Sequence, residues 1–133
     1  MIESNIIKLA SDDRYNSLRN KYTHKTEIKN KTCGDKIKIE IIVKKNLIKS
    51  MRYETESCVY CQASASLLSS KINLFKLKEY KSNISILKKS FREKKNNLPK
   101  KFKIFYPLTN PSNYKRLSCI MLPFDALKKA LEV

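Results

Sequence analysis

The most regular pattern in the chain is an alternation of apolar and polar residues that begins at Lys36. The apolar positions are Ile37, Ile39, Ile41 and Val43. A period of two is typical of a strand with one buried face. A polar turn at 44–46 follows, and a second, weaker alternation covers 47–54. The pattern therefore predicts an antiparallel hairpin.

The region before this hairpin contains two weaker signals. Apolar residues near helical spacing predict a short helix over residues 2–10. Residues 12–35 are polar and turn-rich, and we expect one short strand there, around Thr26–Ile28.

Helical spacing replaces the alternation after residue 57. One face of a predicted helix carries Cys61, Ala65, Leu68 and Ile72. Ser57 is the expected N-cap of this helix, which places Cys58 at its N-terminus. A second helix is predicted to begin at Ser82, with Ile84, Leu87 and Phe91 as its apolar stripe.

The last third of the chain is less regular. Residues 94–101 form a polar break, and we expect 102–112 to be irregular or extended. An apolar stripe predicts helix over 113–133, with a kink or two abutting helices at Pro123. The order of elements favours an α+β fold: an N-terminal helix, an antiparallel sheet and several C-terminal helices. Residues 1–133 are expected to form a single domain.

The charge of the chain suggests two interpretations. The formal net charge is +17, which fits a polyanionic partner such as nucleic acid or an acidic protein surface. Compositional drift toward Lys, Ile and Asn, with the basic side chains on solvated faces, is the interpretation that we favour. Lysines greatly outnumber arginines, and basic residues occur on every segment, including 94–103, so we rank a nucleic-acid-binding domain below the other hypotheses.

The cellular compartment is inferred from two features. No apolar run approaches the ~18 residues of a membrane helix, and the first residues do not resemble a secretory signal. We therefore expect a cytoplasmic protein without membrane association. In a reducing cytoplasm, the four cysteines are expected to be thiols, metal ligands or sulfur carriers rather than disulfides.

Three cysteines and one aspartate are the candidate functional residues. Cys33 precedes the first regular strand and is followed by Gly34, the only glycine, and by Asp35. Cys58 begins a predicted helix, where negative charge is favoured, and Cys119 lies in the last helical segment. Together they could form a four-ligand zinc site. Composition and spacing alone favour the alternative, in which the cysteines are buried thiols that act as small hydrophobic side chains.

The residues around these cysteines resemble three motifs of the NifU/IscU/SufU family of iron–sulfur scaffolds. Residues 30–35, Asn-Lys-Thr-Cys-Gly-Asp, resemble N-P-x-C-G-D, with lysine replacing the proline. Residues 58–66 resemble the second motif, in which a cysteine opens a helix running into A-S-x-S. Residues 116–127 resemble the third motif, a basic residue before a cysteine and an amphipathic helix. The motifs occur in the family's order and span about 26–131.

The resemblance implies a fold, a site and a task. The fold is a three-stranded antiparallel sheet with helices packed against it. Cys33, Cys58 and Cys119 would bind a transient 2Fe–2S cluster, and Asp35 would be the fourth zinc ligand or make the cluster labile. A cysteine desulfurase would supply sulfur, with Cys58 and Cys119 as persulfide acceptors, and downstream acceptor or carrier proteins would receive the cluster. Such a protein is a scaffold rather than an enzyme.

Departures from the family pattern suggest an alternative. Ser118 occupies the position of the histidine that IscU-type members have before the third cysteine. This favours Asp35 as the fourth ligand and a zinc-bound, SufU-like sulfur relay as the second hypothesis. The L-P-P-V-K chaperone motif is replaced by residues 112–116, which argues against a chaperone partner. The expected oligomeric state is a monomer or a weak dimer.

Four further residues have side chains that could take part in the chemistry of the site. Cys61 forms a C-x-x-C with Cys58, but its place on the apolar stripe favours a core thiol over a redox or ligand role. His24, the only histidine, is expected in a surface loop. Lys115 and Arg116 are either solvated or assist the thiolates and a partner.

Overall fold

The computed structural model of the chain describes residues 4–31, 34–93 and 98–132. The strands are β1 (His24–Lys29), β2 (Lys36–Lys44) and β3 (Leu47–Glu56). The α-helices are α1 (Ser4–Ala10), α2 (Val59–Ser70), α3 (Tyr80–Arg92), α4 (Tyr106–Thr109) and α5 (Leu117–Leu131). Three short 3₁₀ helices cover Ile72–Leu74, Lys100–Phe105 and Pro111–Arg116. The α+β class is confirmed.

The sheet is antiparallel with the strand order β1-β2-β3. Cross-strand pairs such as Ile28 with Ile37 and Ile39 with Tyr53 place apolar side chains on one face. Ile37, Ile39 and Tyr53 are at most 1% exposed. The predicted hairpin is confirmed, and Lys45 makes its tight turn with a positive φ of 58°.

The helices cover the apolar face of the sheet. α5 packs on β1 and β2, α2 packs on β3 and α5, and α1 packs on α2. α2 is buried on more than its predicted apolar stripe, because Ser64, Ser66 and Ser69 are also buried. The Ser64 hydroxyl donates a hydrogen bond of 2.6 Å to the carbonyl oxygen of Ile120. This bond joins the two helices that carry candidate cysteines.

Two predicted helix boundaries differ from the structure. Cys58, not Ser57, is the N-cap of α2, and no side-chain hydrogen bond caps this end. α3 begins at Tyr80, two residues before the predicted start at Ser82. Both starts coincide with tertiary contacts that local sequence does not indicate: Tyr80 is buried, and the Cys58 N–H donates to the buried Asp35 carboxylate.

The prediction of irregular or extended structure for 102–112 is wrong. This segment is helical in short turns, from Lys100 to Arg116 with a break at Asn110. Its buried residues Phe102, Phe105 and Leu108 recur every third position, which is the period of a 3₁₀ helix. Phe102 lies 5.4 Å from Phe75 between ring centroids, so these turns are held by aromatic packing.

Pro123 lies inside a single helix rather than between two abutting helices. A proline removes one N–H from the helix and normally destabilises its interior. Here the neighbouring Leu122 and Phe124 are at most 4% exposed. We infer that burial of this segment offsets the lost hydrogen bond.

Within the three described ranges, no helix combines the length and the apolar character needed to cross a membrane.

Candidate metal and sulfur site

Cys58 stands at the junction of the sheet and α2. It has extended backbone angles, φ −70° and ψ 167°, as an N-cap residue should. Its side chain is partly exposed. The buried part of α2 begins three residues later, at Cys61. The chain therefore presents this thiol at the edge of the core.

Asp35 reaches the same place from the loop between β1 and β2. The loop is closed by two hydrogen bonds of 2.7 Å, from the Asn30 N–H to the Asp35 carbonyl and from the Gly34 N–H to the Asn30 carbonyl. Gly34 has a φ of +79°, a left-handed conformation that glycine adopts without strain. The only glycine of the chain thus shapes the turn that delivers Asp35.

The carboxylate of Asp35 is buried, with 7% exposure. Its Oδ1 accepts a hydrogen bond of 3.3 Å from the Cys58 N–H. Its Oδ2 is buried and has no hydrogen-bond partner among the described residues. A buried carboxylate oxygen without a partner is energetically costly, which suggests that Oδ2 interacts with a ligand.

Cys119 enters the site from the third position of α5 and is 5% exposed. The Sγ atoms of Cys58 and Cys119 and a carboxylate oxygen of Asp35 all lie within 4.8 Å of one another. Ligand atoms on a tetrahedral zinc ion are about 3.5 Å apart for bonds of about 2.0–2.3 Å, so movements of about 1 Å would close the set. Cys33, the fourth predicted ligand, lies outside the described residues.

The donor set fits both groups that the sequence suggested, a zinc ion and an iron–sulfur cluster. Thiolate sulfur and carboxylate oxygen are ordinary zinc ligands, and thiolate sulfur holds iron–sulfur clusters. Ser118, in the position of the missing histidine, is exposed and adds no imidazole. The described donors are therefore two sulfur atoms and one carboxylate.

The family model of the NifU-like N-terminal domain matches residues 2–132. The chain belongs to this NifU-like family. The resemblance that the three cysteine motifs indicated is thereby confirmed, and the match extends over nearly the whole sequence.

Relatives of the NifU-like chain support the assignment. An iron–sulfur cluster assembly scaffold protein, IscU of Thermotoga maritima, is 30% identical over 99% of this chain and 93% of its own length. The N-terminal NifU-like protein of Brucella abortus superposes with a TM-score of 0.84 at 16% identity, covering 97% of this chain and 90% of that one. A SUF-system scaffold of Fervidobacterium islandicum gives a TM-score of 0.78 at 19% identity, covering 98% and 96%. At such identities the two structures establish the fold.

Cys61 and His24 lie apart from the NifU-like site. Cys61 is fully buried, and burial raises the pKa of its thiol to about 12. The prediction that Cys61 is a core thiol is confirmed by this burial. The expectation of a surface loop for His24 is wrong, because His24 is the first residue of β1 and pairs with Ile41 of β2. It lies at the end of β1 opposite the loop that carries Asp35, and its Nδ1 lies 2.9 Å from the Thr23 hydroxyl oxygen.

Arg116 and Ser64 join the two helical segments of the site, a role that the sequence does not indicate. The Arg116 guanidinium lies 5.5 Å from the ring centroid of Tyr60, in the first turn of α2. This cation–π contact joins the segments that carry Cys58 and Cys119. Ser64 joins the same helices from inside the core. No sequence periodicity indicates either contact, because each pairs residues distant in the chain.

Proposed function

We propose that the protein is an iron–sulfur cluster assembly scaffold that binds iron and the growing cluster through Cys33, Cys58 and Cys119. The convergence of Asp35, Cys58 and Cys119 within 4.8 Å is the observation that carries the proposal. The family membership and the scaffold named in Thermotoga maritima support it. The cluster is cargo, formed on the protein and then passed to acceptor or carrier proteins.

Sulfur would arrive from the persulfide of a cysteine desulfurase. A scaffold thiolate attacks the outer sulfur of that persulfide, a new S–S bond forms on the scaffold, and the desulfurase cysteine leaves as a thiolate. Cys58 and Cys119 are the candidate acceptors. Cys58 is the more exposed of the two, which favours it as the first acceptor.

Asp35 would act beside the thiolates as a ligand that can be released. Its Oδ1 is already engaged by the Cys58 N–H, so Oδ2 is the atom left for a metal ion. A carboxylate binds iron less strongly than a thiolate, which would keep the cluster transferable.

Anaerobic reconstitution with ferrous iron, cysteine, a desulfurase and a thiol reductant, which reduces the transferred persulfide sulfur to sulfide, tests the scaffold. We expect the wild type to bind iron and sulfide, and Cys58→Ala and Cys119→Ala to lose most of both. Cys61→Ala is the matched control, since it removes a thiol three residues from Cys58 without removing a proposed ligand. Equal, negligible iron and sulfide in the wild type and all variants would contradict the proposal.

A zinc-bound sulfur relay is the second candidate. It is favoured by the serine at position 118 and by the buried Asp35 carboxylate, which has an oxygen within 4.8 Å of both thiol sulfur atoms. The purified protein would then contain about one tightly bound zinc ion per chain and would accept persulfide without assembling a cluster.

Asp35→Asn tests the carboxylate in either case. The amide keeps the size of the side chain but lacks the charge, so zinc affinity should fall by at least about tenfold in a chelator competition. Asp13→Asn, at an exposed aspartate, is the control. Unchanged affinity in Asp35→Asn would remove Asp35 from the ligand set.

We further infer one domain over residues 1–133 and a cytoplasmic location. One continuous core that includes Ile6 of α1 and Leu131 of α5 supports the first. Three cysteines without disulfide bonds among the described residues are consistent with the second. We also infer that the protein acts as a scaffold rather than as an enzyme. Its expected oligomeric state is a monomer or a weak dimer.

A further inference from the structure

A basic groove lies beside the thiol site, between α3 and the start of α5. Its volume is about 510 Å³. Leu117 and Met121 provide apolar surface, and Lys88, Arg92 and Lys115 provide positive charge. Ser118, the neighbour of Cys119, also lines the groove. The groove therefore ends next to a residue of the proposed site.

The positive charge of the groove is largely uncompensated. Arg92 and Lys115 are exposed and form no ion pair with the residues described. Lys88 pairs with Asp125, and both side chains are about one-third exposed or more, at 32% and 42%. An incoming carboxylate could therefore bind Arg92 and Lys115 directly and compete for Lys88.

One wall of the groove is held by aromatic packing. Tyr114 lies against Phe91 with a centroid distance of 6.4 Å and an interplanar angle of 15°. Phe91 is 1% exposed and belongs to the core, so this wall is anchored. A preformed surface loses little conformational entropy when a partner binds.

We propose that this groove docks a short acidic segment of a partner protein, with carboxylates on both sides of an apolar side chain. The apolar side chain would contact Leu117 and Met121, and the carboxylates would pair with Arg92 and Lys115. The proposal goes beyond the scaffold function, because this binding uses none of the thiols. It would hold a partner beside Cys119 whether the site carries metal or not.

The same features disfavour a nucleic acid as the occupant. Asp125 lines the groove and would repel a continuous chain of phosphates, whereas a peptide can place an uncharged residue there. The apolar floor matches a side chain better than a phosphate backbone. Arg116, which follows Lys115 in the chain, does not line the groove and is engaged with the Tyr60 ring.

Fluorescence anisotropy with a labelled synthetic peptide tests the groove. The peptide has acidic residues on both sides of a single leucine, and a second peptide has serine in place of the leucine. The double variant Arg92→Glu, Lys115→Glu reverses two groove charges. Lys44→Glu, Lys49→Glu makes the same change in net charge at exposed positions of the β2–β3 hairpin.

We expect the groove variant to weaken peptide binding by at least about tenfold and the hairpin variant by less than about twofold. The serine peptide should bind several-fold more weakly, and the leucine peptide should shift the amide resonances of Leu117 and Met121. Equal losses in the two double variants would overturn the proposal, as would equal binding of the serine peptide. A single-stranded oligonucleotide with the same charge as the peptide is the competing ligand. If it binds the wild type more strongly than the peptide does, and the groove variant loses oligonucleotide binding as much as peptide binding, the groove binds nucleic acid and the proposal is overturned.

The scaffold proposal is tested separately by the same variants. Both double variants should retain iron and sulfide uptake in the absence of peptide, because they leave Asp35, Cys58 and Cys119 intact. Loss of peptide binding with normal cluster uptake therefore concerns the groove alone. Failure of cluster uptake with normal peptide binding concerns the thiol site alone.

Discussion

The two ends of the first turn of α2 carry the same side chain in opposite surroundings. Cys58, at the outer end, is partly exposed and its N–H donates to a buried carboxylate. Cys61, at the inner end, is fully buried, with its Sγ 4.0 Å from the Thr55 hydroxyl oxygen. One helical turn is thus enough to separate a partly exposed thiol from a fully buried one. The chemistry of a cysteine is decided by its surroundings more than by its neighbours in sequence.

Native-state alkylation should give the largest difference between the two ends. In metal-free protein at pH 8, Cys58 should react with iodoacetamide on the order of 100-fold faster than Cys61, because Cys61 reacts only after the core opens. Peptide mass spectrometry after a timed quench measures both rates. Comparable rates would mean that the inner end of the turn is not buried in solution.

Alkaline titration should reveal the buried thiol as a loss of stability. Burial raises the pKa of Cys61 from 9.0 to about 12, so the folded state keeps the proton that the unfolded state loses. The stabilising contribution is complete below pH 9 and decreases between pH 9 and about 12. At pH 10.5, about 1.5 pH units above the unfolded pKa, the free energy of unfolding should be lower by about 2 kcal/mol, because each pH unit costs about 1.4 kcal/mol.

Urea unfolding of the metal-free wild type and Cys61→Ala at pH 8 and 10.5 measures this contribution. The wild type should lose more stability than the variant over that interval. Tyr53, whose pKa burial also raises to about 12, is present in both proteins and cancels in the difference. An identical loss in both would show that Cys61 titrates normally.

Gly34→Ala should produce the smallest change in stability. It acts only at the Cys58 end of the turn, where the loop of Gly34 presents Asp35. Apart from its chain neighbours, none of the residues that the structure describes has an atom within 4 Å of a Cβ added at Gly34, so the cost comes from the φ of +79°. We expect a loss of about 1 kcal/mol in the free energy of unfolding. Zinc affinity should also fall, because the strained loop presents Asp35 less well.

Lys31→Ala, at an exposed position of the same loop, is the control for Gly34→Ala. It should leave both the unfolding free energy and the zinc affinity near the wild-type values. Equal stability of Gly34→Ala and the wild type would show that the loop adopts another conformation in solution.

Periodic segments were predictable because their burial repeats with the geometry of the element. Ile37, Ile39 and Ile41 are buried as their alternation indicated, and the stripe of α3 at Ile84 and Leu87 is buried as well. The short turns over 102–112 give a weaker signal, because only Phe102, Phe105 and Leu108 carry their spacing of three, so their helical nature was not predicted. Their conformation depends on aromatic partners such as Phe75, which lie elsewhere in the chain.

The candidate site was predicted from local motifs rather than from spacing. The residues flanking Cys58 and Cys119 indicated the family, and the structure brings both sulfur atoms to Asp35. The contribution of Cys33 stays a prediction. The contacts that hold the site together, from Ser64 to Ile120 and from Arg116 to Tyr60, were not predictable, because they join positions as far as 56 residues apart.

The sequence by itself determined the strands, the major helices, the family and the identity of the candidate ligands. Each of these follows from local periodicity or from a few adjacent residues. Only the tertiary structure decided that Asp35 is buried with one oxygen on the Cys58 N–H, and that a basic groove reaches Ser118, the neighbour of Cys119. Such features require distant segments to meet, and packing of the whole core fixes where they meet.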